Sequence, residues 1–282
     1  MFFLFFLSLM KNYFLLRNKL NFKNIKFEKT NEKLIILGNG PSLNNDIKKI
    51  LSIKEDFDFF VVNNFCSSEY YTLIKPKTYF FCDPLFYLSK VSEVNEIKRN
   101  NIFDKINKNT DWKVTIYLPK EADLDFLKVK IYNNNINLKK IYYKPSEYFL
   151  KDNFFVDFFL STGVFVYPIV NVLVLAIYFG LCVNYKTIEI YGADASFHKN
   201  IEVDSENNLY IINKHFNEKN SKELIYLDVL EKDKCSMSEF LYLNSMHFKI
   251  HEKLNLLSKS KKIKIINKSS FSLIDSYERG FE

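Results

Sequence analysis

Residues 34–42 have the sequence LIILGNGPS, from Leu34 to Ser42. Four consecutive apolar residues that end in a glycine turn are typical of a strand buried on both faces of a sheet. Gly38 and Gly40 let the backbone approach a ligand closely, and the N–H groups of a helix that begins after Ser42 can bind a phosphate. The turn is neither a G-x-G-x-x-G motif nor a Walker A loop, so an ordinary strand–helix turn explains the same letters. The stretch therefore predicts a strand, a turn and a helix, with the turn as a candidate ligand site.

Short apolar runs alternate with helical patterns along the rest of the chain. Strands are predicted over residues 58–62, 78–82, 113–118, 187–191 and 262–267, and helices over 85–98, 162–180 and 240–258. Buried strands that alternate with helices predict an α/β fold with a mostly parallel sheet flanked by helices. Residues from about 197 to 237 are polar and lack hydrophobic periodicity, which predicts a lid inserted over the sheet.

Small, amide and carboxylate residues follow four of the predicted strands. They are Gly38-Asn39-Gly40-Pro41-Ser42, Asn63-Asn64, Asp83-Pro84 and Gly192-Ala193-Asp194-Ala195-Ser196. The carboxyl ends of parallel strands lie at one edge of the sheet, where open α/β sheets bind their ligands. A core does not favour such polar residues, so we expect a ligand to satisfy them, and a nucleotide is the usual one.

The composition indicates a folded chain in a reducing compartment. Of the 282 residues, 48% are hydrophobic and only 6 are Gly and 6 are Pro, which excludes the disordered and collagen-like classes. The four cysteines are scattered without a C-x-x-C pair or a histidine cluster, so we predict a cytoplasmic protein with no metal and no cofactor. The net charge of +7 is spread along the chain, apart from two basic runs at residues 11–26 and 259–264. Such runs are typical of solvated surfaces, and no nucleic-acid-binding module accompanies them, so we predict no nucleic-acid partner.

Two apolar stretches without charge raise the question of membrane contact. Residues 1–10 are too short to span a bilayer as a helix. They form either an interfacial anchor at the inner face of the cytoplasmic membrane or a segment packed on the domain. Residues 162–182 also lack charge, but Pro168 and Asn171 interrupt them, Gly180 lies where a helix would end, and a strand follows. This context favours a buried helix over a membrane-spanning one. We therefore expect an N-terminal segment at 1–30 and one domain at 31–282, with its lid at about 197–237.

Several further residues are candidates for chemistry. The four histidines are His198, His215, His247 and His251. The first two lie in the predicted lid, whereas the last two lie four apart on a helix and lack the glutamate of an H-E-x-x-H metal site. Ser161-Thr162-Gly163 precedes the predicted helix, either as a cap or as a second helix start that faces a phosphate, and the two interpretations are compatible.

These motifs together resemble those of a known group of proteins. The segments GNGPSL, VNNF, FCDP, STGV and IYGADAS occur here in order after or between the predicted strands. In this order they resemble the small bacterial lipooligosaccharide sialyltransferases and the related MptE-like domain proteins of polysaccharide loci. The lid from Val203 to Phe216 and the end from Lys264 to Arg279 resemble the MptE-like relatives, and the similarity covers roughly residues 33 to 280.

The resemblance implies a single Rossmann-like domain that takes an acidic sugar from a CMP-activated donor and transfers it to a glycan or glycolipid acceptor without metal. The residues implied to contact the donor are Gly38, Asn39, Gly40, Ser42, Asn63, Asp83, Thr162, Gly163, Asp194 and Ser196. Asp83 stands where those transferases have an asparagine. Ser196 and Phe197 stand in place of the tyrosines that hold their leaving phosphate. The implied general base is His215, with His247 as the alternative.

Two other functions are compatible with the sequence. The MptE-like name implies pyrophosphate transfer to a pterin, which would need Mg²⁺ and more acidic ligands than Asp83 and Asp194 provide. The missing tyrosines are also compatible with a nucleotide-binding relative that has lost catalysis. The many aromatic residues make self-association a further expectation.

Overall fold

The computed structural model describes residues 2–151, 154–199, 201–213 and 221–280. Its α-helices are α1 Phe2–Leu16, α2 Leu43–Ser52, α3 Tyr70–Ile74, α4 Pro84–Tyr87, α5 Glu93–Asn109, α6 Leu124–Lys130, α7 Phe154–Ser161, α8 Val172–Cys182 and α9 Met237–Ser260. Its strands are β1 Lys33–Leu37, β2 Asp58–Val62, β3 Thr78–Phe80, β4 Val114–Pro119, β5 Ile136–Ile141, β6 Lys144–Pro145, β7 Phe165–Val166, β8 Thr187–Tyr191, β9 Ile201–Val203, β10 Leu209–Asn213, β11 Ser221–Leu224, β12 Lys264–Asn267 and β13 Glu278–Arg279.

Eight of the described strands form one parallel sheet in the order β13-β12-β8-β1-β2-β3-β4-β5. The chain runs outward from β1 to β5 on one side of the sheet and later adds β8, β12 and β13 on the other side of β1. Leu37 at the end of β1 is paired with Tyr191 at the end of β8, so the two strands end side by side. The predicted α/β fold, a Rossmann-like parallel sheet flanked by helices, is confirmed, and the order reverses between β1 and β8.

The central strands are buried on both faces, as their continuous apolar runs predict. Leu34 and Ile36 point to one hydrophobic cluster, which contains α8, whereas Ile35 and Leu37 point to the other, which contains α2. Helices therefore cover the sheet on both sides, and α2 and α8 lie on opposite faces.

The predicted helix over 162–180 is wrong in its first half. After α7 the chain turns at Thr162 and Gly163, passes through the short strand β7 and enters α8 only at Val172. Gly163 has a φ of +69°, which a residue inside a helix does not adopt. Residues 173–181 of α8 are all buried, which confirms a helix buried against the sheet. In the part of the chain that the structure describes, no helix is long and apolar enough to cross a bilayer.

Two other segments also differ from the predictions. The predicted helix over 85–98 is divided into α4 and α5, because Asp83 and Ser92 each cap a helix. The segment predicted as a lid contains a three-stranded antiparallel sheet, β11-β10-β9, that its polar sequence does not reveal.

The N-terminal segment is attached to the domain, in line with the second of the two interpretations given above. Leu9 is buried in the cluster around α8, and Tyr13 and Leu16 pack against it. Leu7, Phe14 and Leu15 of the same helix are exposed. The boundary expected at residue 30 therefore does not separate two independent cores.

Candidate functional site

A cavity of about 230 Å³ lies at the carboxyl ends of β1 and β8, where the strand order reverses. Open α/β sheets bind ligands at this point, because the two turns diverge to opposite faces of the sheet and leave a crevice between them. The lining consists of Gly38, Asn39, Gly40, Pro41, Val62, Asn63, Asn171, Val172, Leu173, Gly192, Ala193, Asp194, Ala195, Ser196, Phe197, Ile211, Ile212, His247 and Ile274. We call it the switch-point cavity.

Gly38 and Gly40, in the turn after β1, lie so close to the turn after β8 that no side chain fits at either position. A Cβ atom on Gly38 would lie 2.4 Å from the carbonyl oxygen of Gly192, and one on Gly40 would lie 2.0 Å from Oδ1 of Asp194. The N–H group of Gly40 donates to the oxygen of Gly192 at 2.9 Å. The predicted close approach is therefore present, but the chain after β8 makes it.

Ser42 and Asp194 hold the two turns together. The backbone N–H of Ser42 donates to Oδ2 of Asp194 at 3.1 Å, and its hydroxyl donates to Oδ1 at 2.6 Å. Both residues are buried, with 4% and 6% of their surface exposed. Burial raises the pKa of Asp194, although the hydrogen bonds from Ser42 oppose that shift.

Ser42 does not cap α2 with its side chain, and the start of α2 is not open to a phosphate. The N–H groups of Leu43 and Asn44 already donate to the carbonyl oxygens of Gly40 and Pro41. The prediction that Ser42 and the N–H groups after it face a ligand is therefore wrong in this structure, because backbone carbonyls and Asp194 occupy these donors.

Two asparagines at the ends of β1 and β2 lie on the cavity wall, as predicted. Asn39 donates from Nδ2 to the carbonyl oxygen of Val62 at 3.0 Å. Asn63 has a φ of +43°, and its Oδ1 is buried without a hydrogen-bond partner among the described residues. A buried acceptor without a partner is uncommon, so the Asn63 amide is a candidate ligand contact.

The second helix start that faces the cavity is at Asn171, not at Thr162. Oδ1 of Asn171 accepts from the N–H of Leu173 at 2.7 Å and so caps α8. Asn171, Val172 and Leu173 all line the cavity, so the positive end of the α8 dipole faces it. This cap was the available signal in the sequence, since an asparagine precedes a long apolar run.

Thr162 and Gly163 are not brought to this site. The hydroxyl of Thr162 donates to the carbonyl oxygen of Phe159 at 2.6 Å, in the last turn of α7. A Cβ atom on Gly163 would lie 2.3 Å from the backbone nitrogen of Lys23. Gly163 lines a different cavity, which is described below. The structure therefore does not bring these two residues to the switch-point cavity, because the helix that they were expected to open begins at Val172.

Asp83 lies in a neighbouring cavity of about 760 Å³, which we call the side cavity. The two cavities share Asn63, Asn171 and Val172 as lining residues. Asp83 accepts from the N–H of Leu85 at 2.9 Å and caps α4. Asp83 is thus beside the switch-point cavity and separated from it by the shared wall.

The lid and α9 complete the switch-point cavity. Phe197, Ile211 and Ile212 of the lid line it together with Ser196, and sequence periodicity gave no signal for these contacts. Residues 214–220, which include His215, lie outside the described residues, so the position of His215 stays a prediction.

His247 lies on the wall of the switch-point cavity and is 5% exposed. Its Nδ1 is buried without a partner among the described residues, and burial lowers its pKa to about 4. The ring of His251 lies 4.6 Å away, and Nδ1 of His251 is 2.8 Å from the hydroxyl oxygen of Tyr277. His247 is therefore a neutral imidazole at physiological pH, in the form that can accept a proton.

Comparison with known proteins identifies no family for this chain. The sequence matches no protein-family model and no curated protein. The MAf glycosyltransferase from Magnetospirillum magneticum AMB-1 has a similar structure, with a TM-score of 0.49 and 9% sequence identity. The similarity covers 95% of this chain and 37% of that chain, so this chain spans little more than a third of its length. No conclusion about activity follows from so distant a likeness.

Proposed function

We propose that this chain is a glycosyltransferase that takes an acidic sugar such as sialic acid from a CMP-activated donor and transfers it to a glycan acceptor. The observation that carries the proposal is the switch-point cavity. Its lining combines the start of α8, an Oδ1 atom of Asn63 that has no hydrogen-bond partner among the described residues, and the neutral imidazole of His247. The resemblance of the strand-end motifs to the small sialyltransferases supports the choice of nucleotide and sugar.

The donor phosphate would lie at the start of α8. No lysine or arginine occurs in the described lining of the cavity, so the helix dipole and the backbone N–H groups near Val172 are the described sources of positive potential.

The acceptor would enter through the side cavity, since a transferase must bring its two substrates into contact and the two cavities share part of their lining. Asn63 and Asn171 belong to both cavities and would lie where the sugar is transferred. The side cavity carries Asp83 and Glu223, and Glu223 forms an ion pair with Lys98 of α5 at 2.8 Å. This contact ties the lid to the body over the acceptor.

The base would be one of two histidines. His215, in the lid, is the first choice from the resemblance, and His247 is the alternative that the cavity contains. The base removes the proton of the acceptor hydroxyl while that oxygen attacks the anomeric carbon and the bond to the CMP phosphate breaks. Such general-base assistance contributes about 10²–10⁴-fold.

Thermal unfolding with CMP, UDP, GDP and ADP tests the binding step. At a CMP concentration of 100 times Kd we expect stabilisation by about 2.7 kcal/mol, which for a domain of this size raises Tm by roughly 5–10 °C. Asn171→Ala should weaken this shift, because it removes the cap of α8. Thr162→Ala is the matched control and should keep the full CMP shift. If both variants lose the same part of the CMP-induced Tm shift, the donor phosphate does not bind at the start of α8.

Turnover tests the reaction itself. Incubation with CMP-sialic acid and a glycan acceptor should give sialylated product in the presence of EDTA, and either His215→Ala or His247→Ala should abolish it. A shift with CMP but no transfer supports a binding protein without catalysis. ATP- and Mg²⁺-dependent conversion of hydroxymethylpterin would instead establish the pyrophosphokinase activity.

A further inference from the structure

A third cavity, of about 550 Å³, lies on the α8 side of the sheet and shares no lining residue with the switch-point cavity. Its inner wall is apolar and includes Phe22, Leu160, Tyr167 and Tyr178, all of them buried. Lysines stand among the remaining lining residues, so we call it the lysine cavity. The turn at Gly163 forms part of its wall and accepts a hydrogen bond from the N–H of Phe22 at 3.1 Å.

The two basic runs of the sequence meet at the lysine cavity. Lys23 comes from the run at 11–26 and Lys261 from the run at 259–264, and both line the cavity and are exposed. Neither side chain forms an ion pair with another residue in the described ranges. Asp157 is the one carboxylate in the described lining. The cavity mouth is therefore positively charged, although the two runs are far apart in the sequence.

Exposed apolar side chains belong to two of the helices that line the lysine cavity, α7 and α9. Leu256 of α9 lines the cavity and is more than half exposed. Phe155 and Phe158 are also more than half exposed and belong to α7, whose Leu160 lines the cavity. Large apolar side chains in contact with water beside a basic rim mark a surface that another phase or molecule covers.

The end of α1 lies next to this surface. The side-chain amide of Asn21 donates to the carbonyl oxygens of Leu16 and Arg17, which places the end of α1 beside the chain that continues into Lys23. Phe14 and Leu15 are exposed on this last part of α1. Three elements, α1, α7 and α9, thus contribute exposed apolar residues around one basic cavity.

We propose that the lysine cavity and its rim dock on a bilayer that contains anionic phospholipid, with a headgroup phosphate between Lys23 and Lys261 and the exposed apolar residues in the lipid interface. Basic residues next to exposed aromatic and aliphatic residues are the combination that holds proteins at such surfaces. A nucleic acid would use the lysines but would leave Phe155, Phe158 and Leu256 in water, which is why lipid is the better ligand.

Vesicle sedimentation tests the proposal with the full chain. Binding should be strong to vesicles of phosphatidylcholine with about one-third phosphatidylglycerol and weak to pure phosphatidylcholine. A lysine near an anionic surface contributes a factor of about five, so Lys23→Gln with Lys261→Gln should weaken binding roughly 25-fold. Leu256→Ser should weaken it about fivefold, because it removes apolar area from the interface.

The matched control is Lys48→Gln with Lys49→Gln on α2. These lysines are exposed and α2 covers the opposite face of the sheet, so the same loss of charge should leave binding within twofold. Circular dichroism must show that every variant is folded.

Several results would overturn the proposal. They are equal binding to neutral and anionic vesicles, equal losses in the control and test pairs, and release of the protein from vesicles by millimolar inorganic phosphate at constant ionic strength. Displacement by poly(U) that needs the same two lysines would assign the face to nucleic acid and also reject it.

Discussion

The contact between Ser42 and Asp194 gives the sharpest prediction about the switch-point cavity. Asp194 accepts from the N–H and the hydroxyl of Ser42, and both residues are nearly inaccessible to water. If this contact holds the two turns together, Asp194→Ala and Asp194→Asn should differ greatly in stability. If Asp194 is mainly a ligand contact, they should have similar stability.

The expected difference follows from the hydrogen bonds. Asp194→Ala leaves the buried N–H of Ser42 and its hydroxyl without their partner, at about 1–3 kcal/mol for each group. We expect a loss of roughly 2–5 kcal/mol, which lowers Tm by about 5–15 °C in a domain of this size. Asp194→Asn can accept from the N–H through Oδ1 and donate from Nδ2 to the hydroxyl oxygen. It also removes a charge that burial disfavours, so its stability should lie within about 1 kcal/mol of the wild type.

The pH dependence gives a second readout of the same pair. Burial raises the pKa of Asp194 above its ordinary value of 3.8, so the folded state binds this proton more tightly than the unfolded chain. The contribution of Asp194 to stability is therefore complete below pH 3.8 and is lost as the pH rises through the raised pKa. Relative to Asp194→Asn, the wild type should gain stability as the pH falls from neutral.

Urea unfolding followed by fluorescence, at pH 7 and at two lower values, measures both effects. If Asp194→Ala unfolds at the same urea concentration as Asp194→Asn at pH 7, the contact between Ser42 and Asp194 does not hold the two turns together. CMP binding by Asp194→Asn then separates the ligand role of the carboxylate from its structural role.

Three further predictions concern the residues around this pair. Burial lowers the pKa of His247 to about 4. The contribution of the neutral imidazole to stability is therefore complete above pH 6.5 and is lost as the pH falls toward 4. Relative to His247→Gln, the free energy of unfolding of the wild type should decrease over that range. If His247 is the base, kcat/KM should be flat between pH 5.5 and 8, whereas a base with the ordinary histidine pKa of about 6.5 gives a tenfold fall per pH unit well below 6.5. Gly38→Ala forces a Cβ atom to 2.4 Å from a backbone oxygen and should lower Tm by about 4–10 °C in a thermal scan. Gly280→Ala, whose Cβ atom would meet side-chain atoms at 2.9 Å, is its control and should shift Tm much less.

Local patterns of the sequence predict most of the central sheet. The strands around Ile35, Phe60, Ile116 and Ile188 are found where their apolar runs place them. A strand buried on both faces needs such a run whatever its neighbours are, so a few adjacent residues identify it. The same apolar runs predict at which edge of the sheet the candidate site lies, because the polar residues come directly after them.

The position of α8 shows where local patterns fail. Residues 162–182 are uncharged throughout, so no amphipathic period marks where the helix begins. Gly163 and Thr162 look like a helix start in the sequence, yet the chain makes a turn there and a short strand before α8. Asn171, which caps α8, is the residue in this stretch that marks where the helix begins, and only the fold shows that it acts as the cap.

Local patterns are enough to predict a parallel α/β sheet with polar residues at the carboxyl ends of its strands. Which of those residues meet depends on the packing of the folded chain. Asp194 accepts hydrogen bonds from Ser42, His247 lines the switch-point cavity, and Lys23 and Lys261 line one cavity, in each case across a large separation in sequence. The apolar pattern of adjacent residues is enough to predict that a strand or helix is buried. Contacts between polar groups distant in sequence depend on how the buried elements pack against one another.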